Sequence, residues 1–145
     1  MINKISEINK RITKKLTIVR TSLLEDTNIN NSQFEVLHYL NTNSDCTISS
    51  IARAQDVSRQ HIQKTITSML ELKLVKTRKN RRHSRSAFIE LTTRGARLLE
   101  IIQTAEHRIY RKMNRDYDKN ELQLALKVLE QLDKQLESEV FSLYD

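Results

Sequence analysis

The sequence contains no proline, no tryptophan, one glycine and one cysteine in 145 residues. A single cysteine, Cys46, excludes an internal disulfide framework, so the chain must fold by burying apolar side chains, which fits a reducing compartment. The scarcity of glycine and proline disfavours an all-β sandwich with many tight turns. It also disfavours glycine-rich phosphate loops, whose backbone angles most residues do not tolerate.

Long apolar runs are absent as well. The apolar runs are only a few residues long, whereas a membrane-spanning helix needs about 20 such residues. The N-terminal segment also lacks the apolar core and small-residue cleavage site of a signal peptide. We therefore expect a cytoplasmic protein, with one ordinary domain or two small lobes that share a core.

The positive charge is concentrated in one segment. The formal net charge is +7, yet residues 53–85 alone hold ten basic and two acidic residues, a balance of +8. Residues 116–145 hold three basic and eight acidic residues, a balance of −5. This distribution predicts one lobe that binds a polyanion and another that has no reason to approach it.

Apolar residues at helical spacing predict a first helix over residues 2–24. A second helix should begin at Ser32, where Ser32 and Glu35 can form a capping box, and run to about Leu40. Thr47 is the expected N-cap of a third, short helix.

The fourth predicted helix begins at Ser58 and runs to about Leu72. One face carries the apolar residues Ile62, Ile66, Met69 and Leu70. The opposite face carries side chains of the kind that read base edges, namely Gln60, His61, Lys64, Thr67 and Ser68. Two helices joined by a turn of about three residues, with a polar exposed face on the second, are typical of a helix-turn-helix.

Two short segments rich in β-branched and aromatic residues, 74–79 and 87–91, predict a hairpin with a basic tip, that is, a wing. Thr92 or Thr93 should cap a long helix after it. A final helix should begin with a cap at Asp118–Glu121. The apolar stripes on 2–24, 95–114 and 119–143 predict a two-fold dimer, with a monomeric three-helix lobe as the alternative.

This order of elements resembles the MarR family of winged helix-turn-helix transcription regulators. Residues 34–40 look like the second helix of that family, 47–52 like its third and 66–75 like the end of its recognition helix. Arg85 followed by residues 88–95, Phe-Ile-Glu-Leu-Thr-Thr-Arg-Gly, looks like the wing arginine and its Leu-Thr-x-x-Gly signature.

The resemblance implies a mainly α fold with a small β-hairpin in a single MarR-like chain, 1–145. Residues 30–94 would form the winged helix-turn-helix lobe, and residues 1–25 and 95–145 the helical dimerisation lobe. It also implies a bacterial homodimer on pseudo-palindromic promoter DNA, usually a repressor, with a small molecule, oxidant or metal as the release signal. No cofactor is expected.

Two sets of site residues follow from the pattern and the resemblance together. The DNA-binding candidates are Ser58, Arg59, Gln60, His61, Gln63, Lys64, Arg78, Lys79, Arg81, Arg82 and Arg85. The dimerisation candidates are Ile5, Ile8, Ile12, Leu16, Leu129, Leu132, Leu136 and Val140.

The chain departs from the family's pattern at three places. Lys73 replaces the glycine before the wing, so the helix must end without a glycine cap. His83 replaces the acid that would hold Arg85. Residues 1–24 contain no cysteine, and Asp45 beside Cys46 should discourage thiolate formation, so oxidant sensing is not expected. The sequence contains no His-x-x-x-His or Cys-x-x-Cys pair that would suggest a metal site.

Two other function classes remain at this point. A helical protein-interaction module could use the basic hairpin to bind an acidic protein partner, and it would show no preference between palindromic and scrambled duplexes. An enzyme has the least support, because the sequence offers no phosphate loop, nucleophile elbow or clustered acid-base set.

Overall fold

The computed structural model describes residues 1–81 and 86–142, with side chains up to residue 140. Their elements, in chain order, are α1 (Ile2–Leu24), α2 (Asn31–Thr42), α3 (Ile48–Ala54), α4 (Arg59–Glu71), β1 (Val75–Arg78), β2 (Phe88–Leu91), α5 (Thr93–Met113), a 3-10 turn (Asn114–Asp116) and α6 (Lys119–Ser142). The predicted mainly α fold with a small β-hairpin is confirmed. Backbone contacts divide the chain into two units, Met1–Glu106 and His107–Asp145.

Helix α2 begins earlier than the sequence predicted. The capping box is formed by Asn30 and Gln33: the Asn30 side chain accepts from the Gln33 amide at 3.0 Å, and the Gln33 side chain accepts from the Asn30 amide at 2.8 Å. The predicted box of Ser32 and Glu35 is wrong, because the Glu35 carboxylate is instead paired with Arg20 of α1.

The other predicted caps are present. Thr47 and Ser50 form a reciprocal box at the start of α3. The Ser58 hydroxyl accepts from the His61 amide at 3.1 Å and begins α4. The Thr92 hydroxyl accepts from the Gly95 amide at 3.1 Å, which decides between the two candidates for α5. Asp118 accepts from the backbone amides of residues 120 and 121 at the start of α6.

The core of the first unit is built around α2, α3 and α4. Its largest fully buried side chains are Phe34, Leu37, Ile51, Ile62, Ile66, Met69, Leu99 and Ile102. Burying each such side chain contributes roughly 1.5–3 kcal/mol. Leu70, predicted on the buried face of α4, is 37% exposed, so that assignment is wrong; Thr65 is buried beside Ile66 instead.

Strands β1 and β2 pair antiparallel, with Lys76 opposite Glu90 and Arg78 opposite Phe88. The segment before α3 forms an isolated antiparallel bridge with β2, in which the Ile89 amide donates to the Cys46 carbonyl at 2.7 Å. Cys46 is therefore held against β2 and buried.

Helix α4 ends at Lys73 in the left-handed conformation, with φ of 56°. The Lys73 amide donates to the Leu70 carbonyl at 3.0 Å and the Leu74 amide to the Met69 carbonyl at 2.9 Å. These two bonds form a Schellman motif, which glycine usually closes. The expected end without a glycine cap is confirmed, with a lysine in the left-handed position.

The carbonyl oxygen of Leu74, between α4 and β1, also contacts the start of α5. It accepts from the Thr92 amide at 3.0 Å and from the Thr92 hydroxyl at 3.1 Å. Gly95, in the first turn of α5, lies directly against it: a β-carbon added there would be 2.1 Å from this oxygen. The only glycine in the sequence therefore stands where a side chain would collide with backbone.

Arg20 links α1 to two other helices of the same unit. Its guanidinium pairs with Glu35 on α2, and its Nε donates to Glu106 Oε1 on α5 at 2.8 Å. The guanidinium carbon also lies 4.5 Å above the centre of the Phe34 ring. A part-buried ion pair of this kind fixes the direction of α1 against the core.

Gly95→Ala should destabilise the first unit by about 1–3 kcal/mol or more, because α5 must shift away from the Leu74 carbonyl. Glu100→Ala, at an exposed position of the same helix, is the matched control and should change the free energy of unfolding by less than about 0.5 kcal/mol. Urea unfolding followed by circular dichroism measures both variants. Equal stability of Gly95→Ala and the parent protein would contradict the close packing.

Candidate nucleic-acid interface

The exposed face of α4 carries most of the predicted base-reading residues. The buried residues of this helix are Ile62, Thr65, Ile66 and Met69. Solvent-exposed side chains on the remaining surface include Ser58, Arg59, Gln60, His61, Gln63, Lys64 and Thr67. The six DNA-binding candidates at the start of α4 therefore share one exposed surface, around a helix N-terminus whose dipole favours anions.

Ser68 does not belong to that surface. Its hydroxyl accepts from the buried Gln33 side chain at 2.9 Å, so it ties α4 to α2. The prediction that Ser68 lies on the base-reading face is wrong, because Gln33 required a hydrogen-bond partner inside the unit. His61 is exposed, with Nε2 3.3 Å from the Ser32 hydroxyl.

A groove of about 520 Å³ runs between α3, α4 and the hairpin. It brings Arg59, Gln60 and Gln63 of α4 beside the first turn of α3 and the strands. Other lining residues, which were not predicted to bind DNA, include Thr47, Ile48, Ser49, Thr77, Ser86 and Ala87. Their only sequence signal was the cap at Thr47, which places the N-terminus of α3 at this groove.

The cations at the tip of the wing differ from Arg78 at its base. Lys79 and Arg81 are exposed, immediately after β1. Asn80 between them is buried, and its side-chain amide donates to the Ser86 hydroxyl at 3.3 Å, across the base of the tip. Arg82 and Arg85, also predicted to bind DNA, lie outside the described residues, as does His83.

Arg78 occupies a different position from the other cations. Its Nε donates to Glu90 and its terminal nitrogen to Asp45, and its guanidinium carbon lies 4.6 Å above the centre of the Phe88 ring. Its hydrogen bonds to Glu90, and to a lesser extent to Asp45, raise the pKa of Arg78. The hydrogen bond from Arg78 in turn holds the pKa of Glu90 below its ordinary value. Lys76 also lies 3.7 Å from Glu90.

Cys46 is poorly suited to redox sensing. Its side chain is buried, and burial raises the pKa of the thiol, with the negative charge of Asp45 adding to the effect. The thiolate is the reactive form, so the cysteine should be inert while the protein is folded. Within residues 1–81 and 86–142, no three His, Cys, Asp or Glu side chains group together as metal ligands would.

A larger cavity of about 730 Å³ lies elsewhere in the first unit. Its walls come from the end of α1, the segment that follows it, the end of α4 and the first half of α5. The lining is mainly apolar, with Leu23, Ile29, Leu72, Leu74, Leu98, Ile101 and Ile102, and it carries the charged residues Asp26, Arg94 and Arg97. No sequence pattern predicted this cavity, because its residues are dispersed along the chain.

The predicted dimerisation residues are partly or largely open to solvent. In α1, Ile8 and Ile12 are exposed and Ile5 and Leu16 half-buried; in α6, Leu129, Leu136 and Val140 are exposed and Leu132 half-buried. The exposed five keep between 46% and 53% of their surface. None of the helices in the described part of the chain is both long and apolar enough to cross a membrane.

Comparisons with known proteins agree with this geometry. Residues 27–86 match the family model described as the MarR family. No curated protein sequence gives a match. Among solved structures, a Staphylococcus aureus MarR in complex with salicylate and kanamycin is 19% identical, with a TM-score of 0.85 over 94% of this chain and 93% of that one.

Two further structures contain DNA. The Staphylococcus aureus MepR–DNA complex is 21% identical, with a TM-score of 0.73 over 92% of this chain and 96% of that one. Streptococcus pneumoniae FabT in complex with DNA is 14% identical, with a TM-score of 0.81 over 95% of this chain and 99% of that one. The resemblance stated from the sequence is confirmed: residues 27–86 match the model of the MarR family, and nearly the whole chain has the fold of MarR-family structures.

Proposed function

We propose that this protein is a sequence-specific DNA-binding transcription regulator that acts as a homodimer on pseudo-palindromic promoter sites, as a repressor. The observation that carries the proposal is the shared groove of α3, α4 and the hairpin. There, the exposed polar start of α4 lies beside the wing, and α4 and β1 both lie within residues 53–85, whose charge balance is +8. Transcription regulation by DNA binding is the activity of the MarR family.

Helix α4 would enter the major groove. Gln60, His61 and Lys64 are our candidates for base contacts, because amide, imidazole and ammonium groups match the donor and acceptor pattern of base edges there. Arg59 and Gln63 flank them, and both line the protein groove between α3, α4 and the hairpin. Ser58 at the cap would bring the helix N-terminus close to a phosphate.

The wing would supply phosphate contacts. Lys79 and Arg81 are exposed cations at the start of its tip, and Arg82 and Arg85 continue the basic sequence. A lysine or arginine at a phosphate contributes affinity that depends on salt but not on sequence. Such contacts would place α4 in register on the duplex.

A homodimer would cover the apolar stripes of α1 and α6. About half of the surface of Ile8, Ile12, Leu129, Leu136 and Val140 is open in the single chain. Covering these side chains with the same stripes of a second copy is the least demanding solution in a two-fold assembly. Two copies of α4 would then read half-sites about 10–11 base pairs apart.

The protein-interaction alternative explains less of the molecule. It accounts for the basic hairpin, but it gives no role to the polar face of α4 or to the groove that joins that face to the wing. Two relatives with this fold, MepR and FabT, were solved with DNA. We therefore favour the duplex as the partner.

The cavity of about 730 Å³ is our candidate site for a small-molecule effector. Apolar walls with Arg94 and Arg97 suit a small apolar molecule that carries an anionic group. A relative with this fold was solved with salicylate, which has that chemistry. Leu72 and Leu74 line the cavity directly after α4, so an occupant that moves them would move the recognition helix.

The DNA proposal is tested on genomic fragments selected with the purified protein. Gln60→Ala should lose about 1–3 kcal/mol of discrimination against scrambled duplexes, because a base contact carries sequence information. Lys79→Gln should weaken binding to all duplexes alike. It should also reduce the slope of log K against log salt by about 0.9 for each phosphate contact removed.

Lys134→Gln on α6 removes the same charge far along the sequence, and it should leave both discrimination and slope unchanged. Fluorescence anisotropy across a range of salt concentrations measures all four proteins. Equal affinity of the parent protein for selected and scrambled duplexes would contradict sequence-specific binding and favour the protein-interaction alternative.

The effector proposal is tested with salicylate. At ten times its dissociation constant, a ligand of the folded state stabilises that state by about 1.4 kcal/mol. Salicylate should raise the melting temperature and weaken binding to the selected duplex, and Arg97→Gln should remove both responses. Arg111→Gln, a matched exposed arginine outside the cavity, should keep them. Release from DNA by salicylate that persists in Arg97→Gln would contradict the site.

A further inference from the structure

The hairpin has very few acidic residues with which to hold its cations. Within residues 74–91 the only acid is Glu90, and the tip from residue 79 to residue 87 has none. The cations of such a wing repel one another, and the sequence of its tip offers no acid to pair with them. Its orientation must therefore be fixed at its base.

The base holds one compact group of charges, which we name the Arg78 clamp: Arg78 of β1, Glu90 of β2 and Asp45 of the segment before α3. Arg78 uses separate nitrogens for the two carboxylates, and its guanidinium covers the Phe88 ring. Glu90 and Asp45 lie on different elements, so one side chain connects both strands to the α2–α3 connection. A planar guanidinium can make such a connection, whereas a lysine ammonium lacks the fork.

Asp45 is arranged for this contact. It adopts a left-handed conformation, with φ of 52°, which apart from glycine is tolerated best by asparagine and aspartate. The next residue, Cys46, accepts the Ile89 amide through its carbonyl at 2.7 Å. The clamp and this backbone bond therefore attach the same segment to the same strand, one through side chains and the other through main chain.

We propose that Arg78 is a positioning residue that orients the wing for DNA, rather than one of the cations that contact phosphate. This inference rests on the proposed function and revises the role that the sequence suggested for Arg78. A phosphate brought to Arg78 would meet two carboxylates already bonded to it. Lys79 and Arg81, by contrast, have no ion-pair partner among residues 1–81 and 86–142.

The two roles of Arg78 predict opposite effects of Asp45→Asn on DNA binding. If Arg78 bound phosphate, removal of a competing carboxylate would strengthen binding. If Arg78 positions the wing, removal of its partner weakens binding, by about two- to fivefold for an exposed ion pair. Glu71→Gln, an exposed acid at the end of α4, is the matched control for the general effect of losing a negative charge.

The salt dependence separates the roles a second time. Arg78→Gln should weaken binding to the selected duplex while leaving the slope of log K against log salt close to that of the parent protein. Arg78→Lys keeps the charge and should behave like Arg78→Gln, because an ammonium cannot replace the fork. Lys79→Gln provides the reference for a lost phosphate contact.

Amide hydrogen exchange tests the clamp without DNA. In Asp45→Asn, the Ile89 amide should exchange about two- to fivefold faster than in the parent protein, while amides of α5 remain unchanged. This measurement stays decisive even if no duplex is bound, in which case the proposed function fails and the clamp is judged by exchange alone. The proposal is overturned by tighter DNA binding of Asp45→Asn than of Glu71→Gln, by a slope in Arg78→Gln that falls as in Lys79→Gln, by normal binding of Arg78→Lys, or by unchanged exchange at Ile89.

Discussion

The close approach of α5 to the Leu74 carbonyl is the constraint on which the arrangement of the first unit depends. That oxygen belongs to the last residue of the Schellman motif that ends α4 and lies immediately before β1. It accepts from the Thr92 amide at the cap of α5, and it shares the Thr92 hydroxyl with the Lys73 carbonyl. The recognition helix, the wing and the long helix therefore meet at one backbone atom, and Gly95 is the residue that allows them to meet. The larger cavity opens beside the same point, since Leu72 and Leu74 line it. An occupant of the cavity and a duplex on α4 would thus act on one junction.

Some cations of the first unit are paired with carboxylates, and others remain exposed. Arg20 and Arg78 pair with two carboxylates each, and each covers a phenylalanine ring. Arg20 orders α1 against the helices around it, and Arg78 orders the hairpin. Arg59, Lys64, Lys79 and Arg81 remain on the exposed surface. A sum of charges along the sequence treats all of these residues alike, whereas the structure distinguishes the paired cations from the exposed ones.

The sequence was sufficient where the cause of a structure is local. Apolar spacing gave the helices, and the hydroxyl side chains of Thr47 and Ser58 gave the starts of α3 and α4, because a cap and its partner lie three residues apart. It failed where a distant partner decides. Glu35 pairs with Arg20, 15 residues away, instead of forming the expected capping box. Ser68 bonds to Gln33, 35 residues away, instead of lying on the exposed face. Arg78 was grouped with the free cations because Asp45 lies 33 residues earlier.

We propose that the duplex binds to one surface, made by the start of α4 and the wing. Chemical-shift mapping of the ¹⁵N-labelled protein during titration with a selected duplex tests it most directly. We expect the largest changes on residues 58–64 and on Lys79 and Arg81. A second exposed basic group, on α5 and the turn after it, comprises Arg108, Arg111, Lys112 and Arg115. Changes centred on that group, with residues 58–64 unaffected, would show that the duplex binds elsewhere.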